Sequence, residues 1–256
     1  MRILMIGDVI GKPGRNAVRA LLPDLKIEHS IDLVIANGEN TAGGYGITQD
    51  TAYDLLESGV DILTSGNHIW DQKEIIPHMD EGLPLIRPAN YPEAPGRGYW
   101  IEGDVMVLNL MGRVFMPALD CPFRAATKIL EEVQQTASPK VIVVDFHAEA
   151  TAEKQAMGWY LDGRVSAVLG THTHVGTVDA RILPKGTAYL TDVGMTGPVD
   201  SVIGSDTNAV LDRFLTGMPQ RLSVASGPVV FHSVMVDVDI ESGKAREMVR
   251  VDRAVS

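Results

Sequence analysis

Apolar and polar positions repeat with two different periods along the first half of the chain. Residues 2–6, 31–36 and 60–64 are short apolar runs with the length and composition of buried strands. Between them, residues 16–27 and 49–57 repeat their apolar positions with the period of an amphipathic helix. Strands that alternate with helices predict a parallel sheet connected by crossover helices.

The second half of the chain adds two hairpin patterns. Residues 99–102 and 105–110 flank a Gly-Asp turn, and residues 229–240 and 245–252 flank the sequence Glu-Ser-Gly-Lys. Short polar turns between apolar runs predict pairs of antiparallel strands. Residues 84–98 contain four prolines and predict a surface loop.

The fold class follows from the combination of these patterns. Residues 124–135 predict a further helix, and residues 141–146 and 165–169 predict two more buried strands. Parallel units and hairpins in one chain predict an α/β fold in which two mixed sheets pack together and carry helices outside. Because no repeat or linker interrupts the sequence, we expect residues 1–256 to form a single domain.

Composition excludes several classes of function. The formal net charge of −11, from 22 basic and 33 acidic residues, argues against a surface for duplex nucleic acid. The aromatic content of 5% argues against a stacking platform for single strands. The single cysteine excludes an internal disulfide, and no apolar run is long enough to span a membrane. With its first strand too early for a signal peptide, the chain is expected to be cytoplasmic.

Several predicted strands end in residues of metal-binding type. In chain order these residues are Asp8, Glu39, Asn40, Asn67, His68, His147, His172 and His174. Because ligands bind beyond the carboxyl ends of parallel strands, we expect these side chains to converge in one crevice. In an extended chain, His172 and His174 would also point the same way.

The glycine-rich segment 7–14 follows the first strand, where many α/β proteins bind phosphate. It fits neither the Walker spacing nor the dinucleotide-binding spacing of glycines. The segment is therefore predicted to be a metal-binding loop, whose ligand is the carboxylate of Asp8 at the end of the strand.

The donor types narrow the chemistry of the predicted site. Carboxylate, amide and imidazole ligands without a thiolate suit manganese, iron or zinc rather than a structural zinc cluster. The seven groups other than His68 exceed the needs of one tetrahedral ion and suit two ions that share a carboxylate. Two ions about 3.5–4 Å apart clamp the attacking and leaving oxygens of a phosphoryl displacement. Their charge would attract phosphate to an acidic protein.

Longer segments around these residues carry a family resemblance. The segments are GDVIGKPGR, NGENTAGGYGIT, SGNHIWD, DFHAEATAEK, GTHTHV and TDVGMTGP. With them the chain resembles the calcineurin-like metallophosphoesterases and, more closely, the bacterial YmdB-type 2′,3′-cyclic-nucleotide phosphodiesterases, from residue 1 to about 235. The resemblance implies a four-layer α/β/β/α sandwich.

The resemblance also implies roles for the site residues. One metal ion would be held by Asp8, Glu39, Asn40 and His174, and the other by Glu39, Asn67, His147 and His172, with Glu39 bridging. His68 resembles the family's general acid. The wider superfamily usually has a histidine where Ile10 stands and an aspartate in place of Glu39, and this departure argues against general protein-phosphatase activity.

The expected function is hydrolysis of small cyclic nucleotides of the 2′,3′-cyclic AMP type. The expected cofactors are two metal ions, iron or manganese, with zinc or magnesium as alternatives. The implied mechanism is attack by a hydroxide that bridges the metals, with His68 protonating the leaving ribose oxygen. Neither a membrane nor duplex nucleic acid is an expected partner, and assembly into a homo-oligomer stays open.

Two alternative functions remain open on the same residues. One is another phosphoester hydrolase, a phosphomonoesterase or a nuclease, built on the same metal core. The other is a metal-dependent signalling or scaffold protein. At the level of single residues, Asp71 either orients His68 or serves as a carboxylate at a helix start, and the second interpretation is favoured. Residues 194–198 are expected to help shape the site.

Overall fold

The first strand shows how the sheets become buried on both faces. In a computed structural model that describes residues 1–255, β1 (Arg2–Ile6) places Ile3 and Met5 in one hydrophobic cluster and Leu4 and Ile6 in another. Successive side chains of a strand point to opposite faces, so apolar residues at every position require a layer on each side.

β1 is the middle strand of a five-stranded mixed sheet. The order across this sheet is β14 (Ala245–Arg250), β13 (Ser233–Val238), β1, β3 (Leu33–Asn37) and β4 (Ile62–Thr64). Strands β1, β3 and β4 are parallel, whereas β13 and β14 run antiparallel to their neighbours. Helices α1 (Gly11–His29) and α2 (Gln49–Glu57) make the parallel crossovers and pack on the outer face.

A second, six-stranded sheet is built in the same way. Its order is β5 (Tyr99–Glu102), β6 (Val105–Met111), β7 (Val141–His147), β8 (Ala167–Thr171), β10 (Ala188–Leu190) and β9 (Arg181–Ile182). Strands β6, β7, β8 and β10 are parallel. Helices α3 (Pro122–Thr136) and α4 (Thr151–Leu161) cover its outer face.

The inner faces of the two sheets share one hydrophobic cluster. Ile3 and Ile35 of the first sheet belong to the same cluster as Val143 and Leu169 of the second. Each sheet also shares one further cluster with the helices on its outer face. The layers therefore follow the order helix, sheet, sheet, helix. The predicted four-layer α/β/β/α fold class is confirmed.

A third sheet, which the sequence patterns did not predict, lies beside the amino-terminal strand. It has four short strands, in the order β15 (Arg253–Val255), β12 (Val229–Phe231), β11 (Met195–Pro198) and β2 (Asp8–Val9). Strands β2 and β11 are parallel, with Asp8 paired to Met195. The third sheet thereby fixes the backbone of a predicted metal ligand.

Several element predictions need correction. The prediction of a single strand over residues 229–240 is wrong. The strand is interrupted at His232, where the chain passes from the third sheet into the first. The predicted surface loop 84–98 is wrong in its first part, since Leu85 and Ile86 are fully buried. The patterns did not predict α4, α5 (Thr207–Thr216) or a 3-10 helix (Lys73–Asp80). Within residues 1–255, no helix has both the length and the apolar character that crossing a membrane requires.

Candidate metal centre

The predicted site residues converge where the carboxyl ends of the two large sheets meet. Glu39 and Asn40 follow β3, Asn67 and His68 follow β4, and Asp8 lies in β2. From the second sheet, His147 is the last residue of β7, and the two histidines of the GTHTH segment follow β8. The expected convergence at the strand ends is therefore present, and it joins residues from both sheets in one cluster.

The side chain of Glu39 contacts two groups of residues. In the first group, its Oε1 lies 3.1 Å from His147 Nε2, which also lies 3.1 Å from Asn67 Oδ1 and 3.0 Å from His172 Nδ1. One donor atom from each of Glu39, His147 and His172 fits within a span of 4.8 Å. This spacing suits a shared cation.

The second group contacts Glu39 through Asn40. The amide nitrogen of Asn40 lies 3.4 Å from Glu39 Oε1 and 3.1 Å from His174 Nε2. His174 Nε2 lies 3.9 Å from Asp8 Oδ1. The Nδ1–H of His174 donates to the carbonyl oxygen of Ile203 at 2.8 Å, which leaves Nε2 free to bind a metal.

The two histidines of the GTHTH segment reach the cluster by a different route from the one predicted. The expectation of an extended chain is wrong, because His172 has φ of 99° and His174 has φ of 65°. The backbone turns between them, so His172 faces His147 while His174 faces Asn40 and Asp8. Both still reach the cluster, one in each group.

Burial and mutual charge shift the pKa values in the cluster strongly. Burial raises the pKa of Asp8 to about 6, although His174 and His147 act in the opposite direction. Burial also opposes the ionisation of Glu39, but the charge and hydrogen bond of His147 outweigh it and hold the pKa at about 2. For His147, burial favours the neutral form, yet the charge of Glu39 raises its pKa to about 9. Burial and the charge of His147 lower the pKa of His172 to about 3.

Two further observations show that the residues fit a cation. Within residues 1–255, Asp8 Oδ1 is buried and has no hydrogen-bond partner, a state that is costly for a carboxylate unless a positive charge compensates it. Gly66 lies so close to the centre that a Cβ there would be 2.2 Å from His147 Nε2 and 2.5 Å from Glu39 Oε2. The lack of a side chain at position 66 therefore keeps the space between these donors open.

His68 stands at the edge of the cluster. Its backbone N–H donates to Glu39 Oε2 at 3.1 Å, and its side chain is 28% exposed. Its Nδ1 lies 2.7 Å from Asp71 Oδ2, and Tyr45 packs edge-on against the imidazole. This contact favours the interpretation in which Asp71 orients His68, over the simple helix-start carboxylate preferred from sequence.

Sequence reasoning missed several groups that contact the candidate ligands, some buried and one exposed. Thr171 Oγ1 lies 2.9 Å from His147 Nδ1 and donates to Asp145 Oδ1 at 2.7 Å, which fixes the imidazole from behind. A charged residue inside the apolar run 141–146 was the available sign of this role. Glu149 Oε2 lies 3.1 Å from His172 Nε2, and nothing in the local pattern distinguished Glu149 from a surface residue.

A second buried support holds the turn between His172 and His174. Asp192 Oδ2 accepts from the backbone N–H and the hydroxyl of Thr173 at 3.1 and 2.9 Å. Lys154 donates to the same oxygen at 2.5 Å and to the carbonyl of Thr171 at 2.7 Å. Residues 194–198, which the sequence analysis expects to help shape the site, contact it through the carbonyl of Gly194, which accepts from the N–H of Asp8 at 3.0 Å.

Comparison with known proteins gives consistent matches over nearly the whole chain. Residues 4–251 match the protein family described as YmdB-like protein. The sequence is 48% identical over 256 residues to the 2′,3′-cyclic-nucleotide 2′-phosphodiesterase of Bacillus subtilis, covering 98% of this chain and 96% of that protein.

Two solved structures share the fold along almost the full length. A hypothetical protein from Thermus thermophilus superposes with a TM-score of 0.93 at 46% identity, covering 99% of both chains. A structure described as a novel phosphatase from Mycoplasma pneumoniae also has a TM-score of 0.93, at 34% identity, covering 99% of this chain and 93% of that one.

Proposed function

The chain belongs to the YmdB-like family, as its motifs predicted, and from this premise we propose that it is a metal-dependent phosphodiesterase for small 2′,3′-cyclic nucleotides. The observation that carries the proposal is the buried cluster around Glu39, with the partnerless oxygen of Asp8 in it and His68 at its edge. A binding protein for phosphate has no need of an oriented histidine beside such a cluster.

We assign the two groups around Glu39 to two metal ions. The first group is Asp8, Asn40 and His174, the second is Asn67, His147 and His172, and Glu39 serves both. Iron or manganese suits these donors, with zinc or magnesium as alternatives. When bound, the ions supply Lewis-acid charge that neutralises the phosphate and activates water.

The residues of the chain itself position the substrate and move a proton. Addition of water to phosphorus breaks one bond from phosphorus to a ribose oxygen, and that oxygen leaves as an alcohol once it takes a proton. His68 is placed to supply this proton from Nε2, because its Nδ1 is engaged by Asp71. Lys154 and Asp192 hold the turn that carries His172 and His174, so the ligands keep their places during turnover.

The test is hydrolysis of 2′,3′-cyclic AMP beside 3′,5′-cyclic AMP by protein loaded with manganese or iron. We expect turnover of the 2′,3′ compound and little or none of the 3′,5′ compound. Asn67→Ala serves as a control for the metal dependence, since it removes the amide oxygen that lies 3.1 Å from His147 Nε2 in the cluster.

The other outcomes distinguish the alternatives. Turnover of p-nitrophenyl phosphate or of RNA, without turnover of either cyclic nucleotide, would replace the proposal by another phosphoester hydrolase on the same core. Absence of any hydrolysis, with two metal ions bound per chain, would remove the enzymatic proposal and leave a metal-dependent binding role.

A further inference from the structure

The cavity beside the candidate metal centre is much larger than a phosphate group requires. Its volume is about 840 Å³, which lies in the range of sites that enclose small organic ligands. One part of it is lined by the predicted site residues Glu39, Asn40, His68, His172 and His174. The rest is lined by residues that belong to no predicted metal or catalytic role, so the cavity has room for a part of the substrate beyond its phosphate.

That second part of the cavity has an apolar wall. The wall is formed by α5 and the segments on both sides of it, through Ile203, Val210, Phe214, Leu222 and Val224. The carbonyl of Ile203 accepts the hydrogen bond of His174, so the wall is tied directly to a candidate ligand. A group that rests on this wall can therefore remain joined to a phosphate at the cluster.

Phe214 is the aromatic residue of this wall, and its side chain is largely open to solvent. It is 80% exposed although it lines the cavity, whereas Val210 on the same helix is 6% exposed and anchors the helix to the protein. An exposed phenyl ring within a ligand cavity offers a flat apolar face. Nucleobases stack on such faces, and the interaction is tolerant of base identity.

We propose that Phe214, with Ile203 and Val224 beside it, forms the subsite that binds the nucleobase of the substrate. The proposal rests on the proposed function, because it assumes a nucleotide phosphate at the cluster. It predicts that the base contributes to binding by stacking, and that base-free cyclic phosphates are turned over without help from this wall.

The neighbouring residue Leu215 provides a matched control. It lies on the same helix and is 82% exposed, but within the described residues it does not line the cavity. Truncation of either side chain removes an exposed apolar group from α5 at similar cost to folding. A difference between the two variants therefore reports on the cavity and not on the helix.

The experiment compares Phe214→Ala and Leu215→Ala on 2′,3′-cyclic AMP and on methyl riboside 2,3-cyclic phosphate, which has no base. We expect Phe214→Ala to lower kcat/KM for cyclic AMP by about tenfold, mainly through KM, and to leave the base-free substrate unchanged. Leu215→Ala should change neither, and Phe214→Trp should restore the wild-type KM. Calorimetric binding of 2′,3′-cyclic AMP to manganese-loaded protein should show the same order of affinities when each variant also carries His68→Asn, so that hydrolysis does not obscure binding.

Each contrary result has a distinct meaning. Equal effects of Phe214→Ala on both substrates, or no effect on either substrate and on calorimetric binding, would overturn the subsite. Equal losses in both variants, together with a change in sedimentation, would assign the face of α5 to contact between copies of the chain. Failure of the wild type on both substrates would count against the proposed function, and the calorimetric comparison would then decide the subsite alone.

Discussion

At the scale of single residues, the proposed proton transfer rests on the pair of His68 and Asp71, which lies apart from the candidate metal ligands. The carboxylate lies 2.7 Å from Nδ1, and neither side chain is fully buried. A carboxylate at one ring nitrogen fixes the tautomer and orientation of the other. Asp71 thereby acts through His68 and needs no contact with substrate.

We predict that Asp71→Asn lowers kcat for 2′,3′-cyclic AMP by about tenfold, less than the roughly 10²–10⁴-fold loss that removal of a general acid produces in His68→Asn. Metal content should not change in either variant. Bis(p-nitrophenyl) phosphate gives a decisive comparison, because p-nitrophenolate leaves without a proton and its hydrolysis should be nearly unaffected. Equal losses on both substrates would show that the pair has a structural role only.

Residue types in the sequence were sufficient to predict which side chains gather at the site, but not which atoms meet. The strand ends near Glu39, Asn67 and His147 could be recognised in the sequence, because an apolar run stops at or just before each of these residues. The partner of His68 could not be decided in the same way, since a carboxylate three residues away suits a helix start, the interpretation favoured from sequence, as well as a hydrogen bond to the imidazole. Glu149 comes from a separate loop, and only the folded chain brings it to His172.

At the scale of elements, the turn after β8 holds two histidines in backbone conformations that non-glycine residues rarely adopt. Positive φ at His172 and His174 costs on the order of 1–3 kcal/mol each, so surrounding contacts must fix it. The buried pair of Lys154 and Asp192 supplies such contacts through Thr173. The pair links α4 and the segment after β10 to the ligands.

We predict that Lys154→Met lowers the free energy of unfolding by about 3–5 kcal/mol, because it leaves Asp192 buried without its counter-charge. The double variant Lys154→Met with Asp192→Asn should recover much of this loss, since no unpaired charge remains. Its affinity for manganese should nevertheless stay below that of the wild type, because Thr173 is held less firmly. Urea unfolding and calorimetry measure the two quantities separately, and a double variant with wild-type affinity would contradict the positioning role.

Asp179 makes a pH-dependent contribution to the stability of the same region. Burial raises its pKa, but hydrogen bonds from the hydroxyls of Thr177 and Thr191 outweigh burial and hold the pKa below the usual 3.8. Its contribution to stability is therefore complete above pH 3.8 and is lost as pH falls through the lower, folded-state pKa. We predict that wild type is more stable than Asp179→Asn at pH 6, and that this difference shrinks below pH 4. A constant difference between pH 6 and pH 3, measured by urea unfolding, would refute this.

Predictions of strands and helices succeeded where the hydrophobic pattern of a single element type continued without interruption. Residues 2–6 and 49–57 match β1 and α2 in full. The prediction failed for 229–240, because the strand pattern continues through His232 while the hydrogen-bonding partners change from the third sheet to the first. Local alternation contains no information about the partner strand, so a transfer between sheets leaves no mark in the sequence.

At the scale of the whole molecule, cluster and fold depend on each other. The ligands come from both large sheets and from β2 of the small third sheet, so each sheet end is fixed partly by the charges it brings to the centre. The formal net charge of −11 belongs to the whole chain, while the cluster has its own balance of two carboxylates and three imidazoles, in Asp8, Glu39, His147, His172 and His174. That residues 1–256 form a single domain stays a prediction, and the cluster shared by both sheets offers a way to test it.

Removal of metal should therefore destabilise the whole chain and not only the active site. A metal ion that is present at a concentration of about 1,000 times its Kd stabilises the folded state by about 4 kcal/mol. For a chain of this size, that free energy corresponds to a rise in Tm on the order of 10 °C. We predict that chelation lowers the Tm of wild-type protein by this order, in a single transition, and that manganese restores it. We expect this loss of stability because the buried carboxylate of Asp8 would lose the compensating charge of the metal. Its Oδ1 has no hydrogen-bond partner within residues 1–255.

Asp8→Asn is the matched control for this measurement, because it keeps the size of the side chain and removes the buried charge. Its metal-free form should be more stable than metal-free wild type, and added manganese should raise its Tm by only a small fraction of the wild-type increase. Scanning calorimetry with and without chelator gives both values. Two separate transitions on chelation would contradict the single-domain prediction. A metal-free Asp8→Asn no more stable than metal-free wild type would show that the Asp8 charge is compensated by the protein itself, through His147 and His174, and the cation would then be needed for chemistry alone.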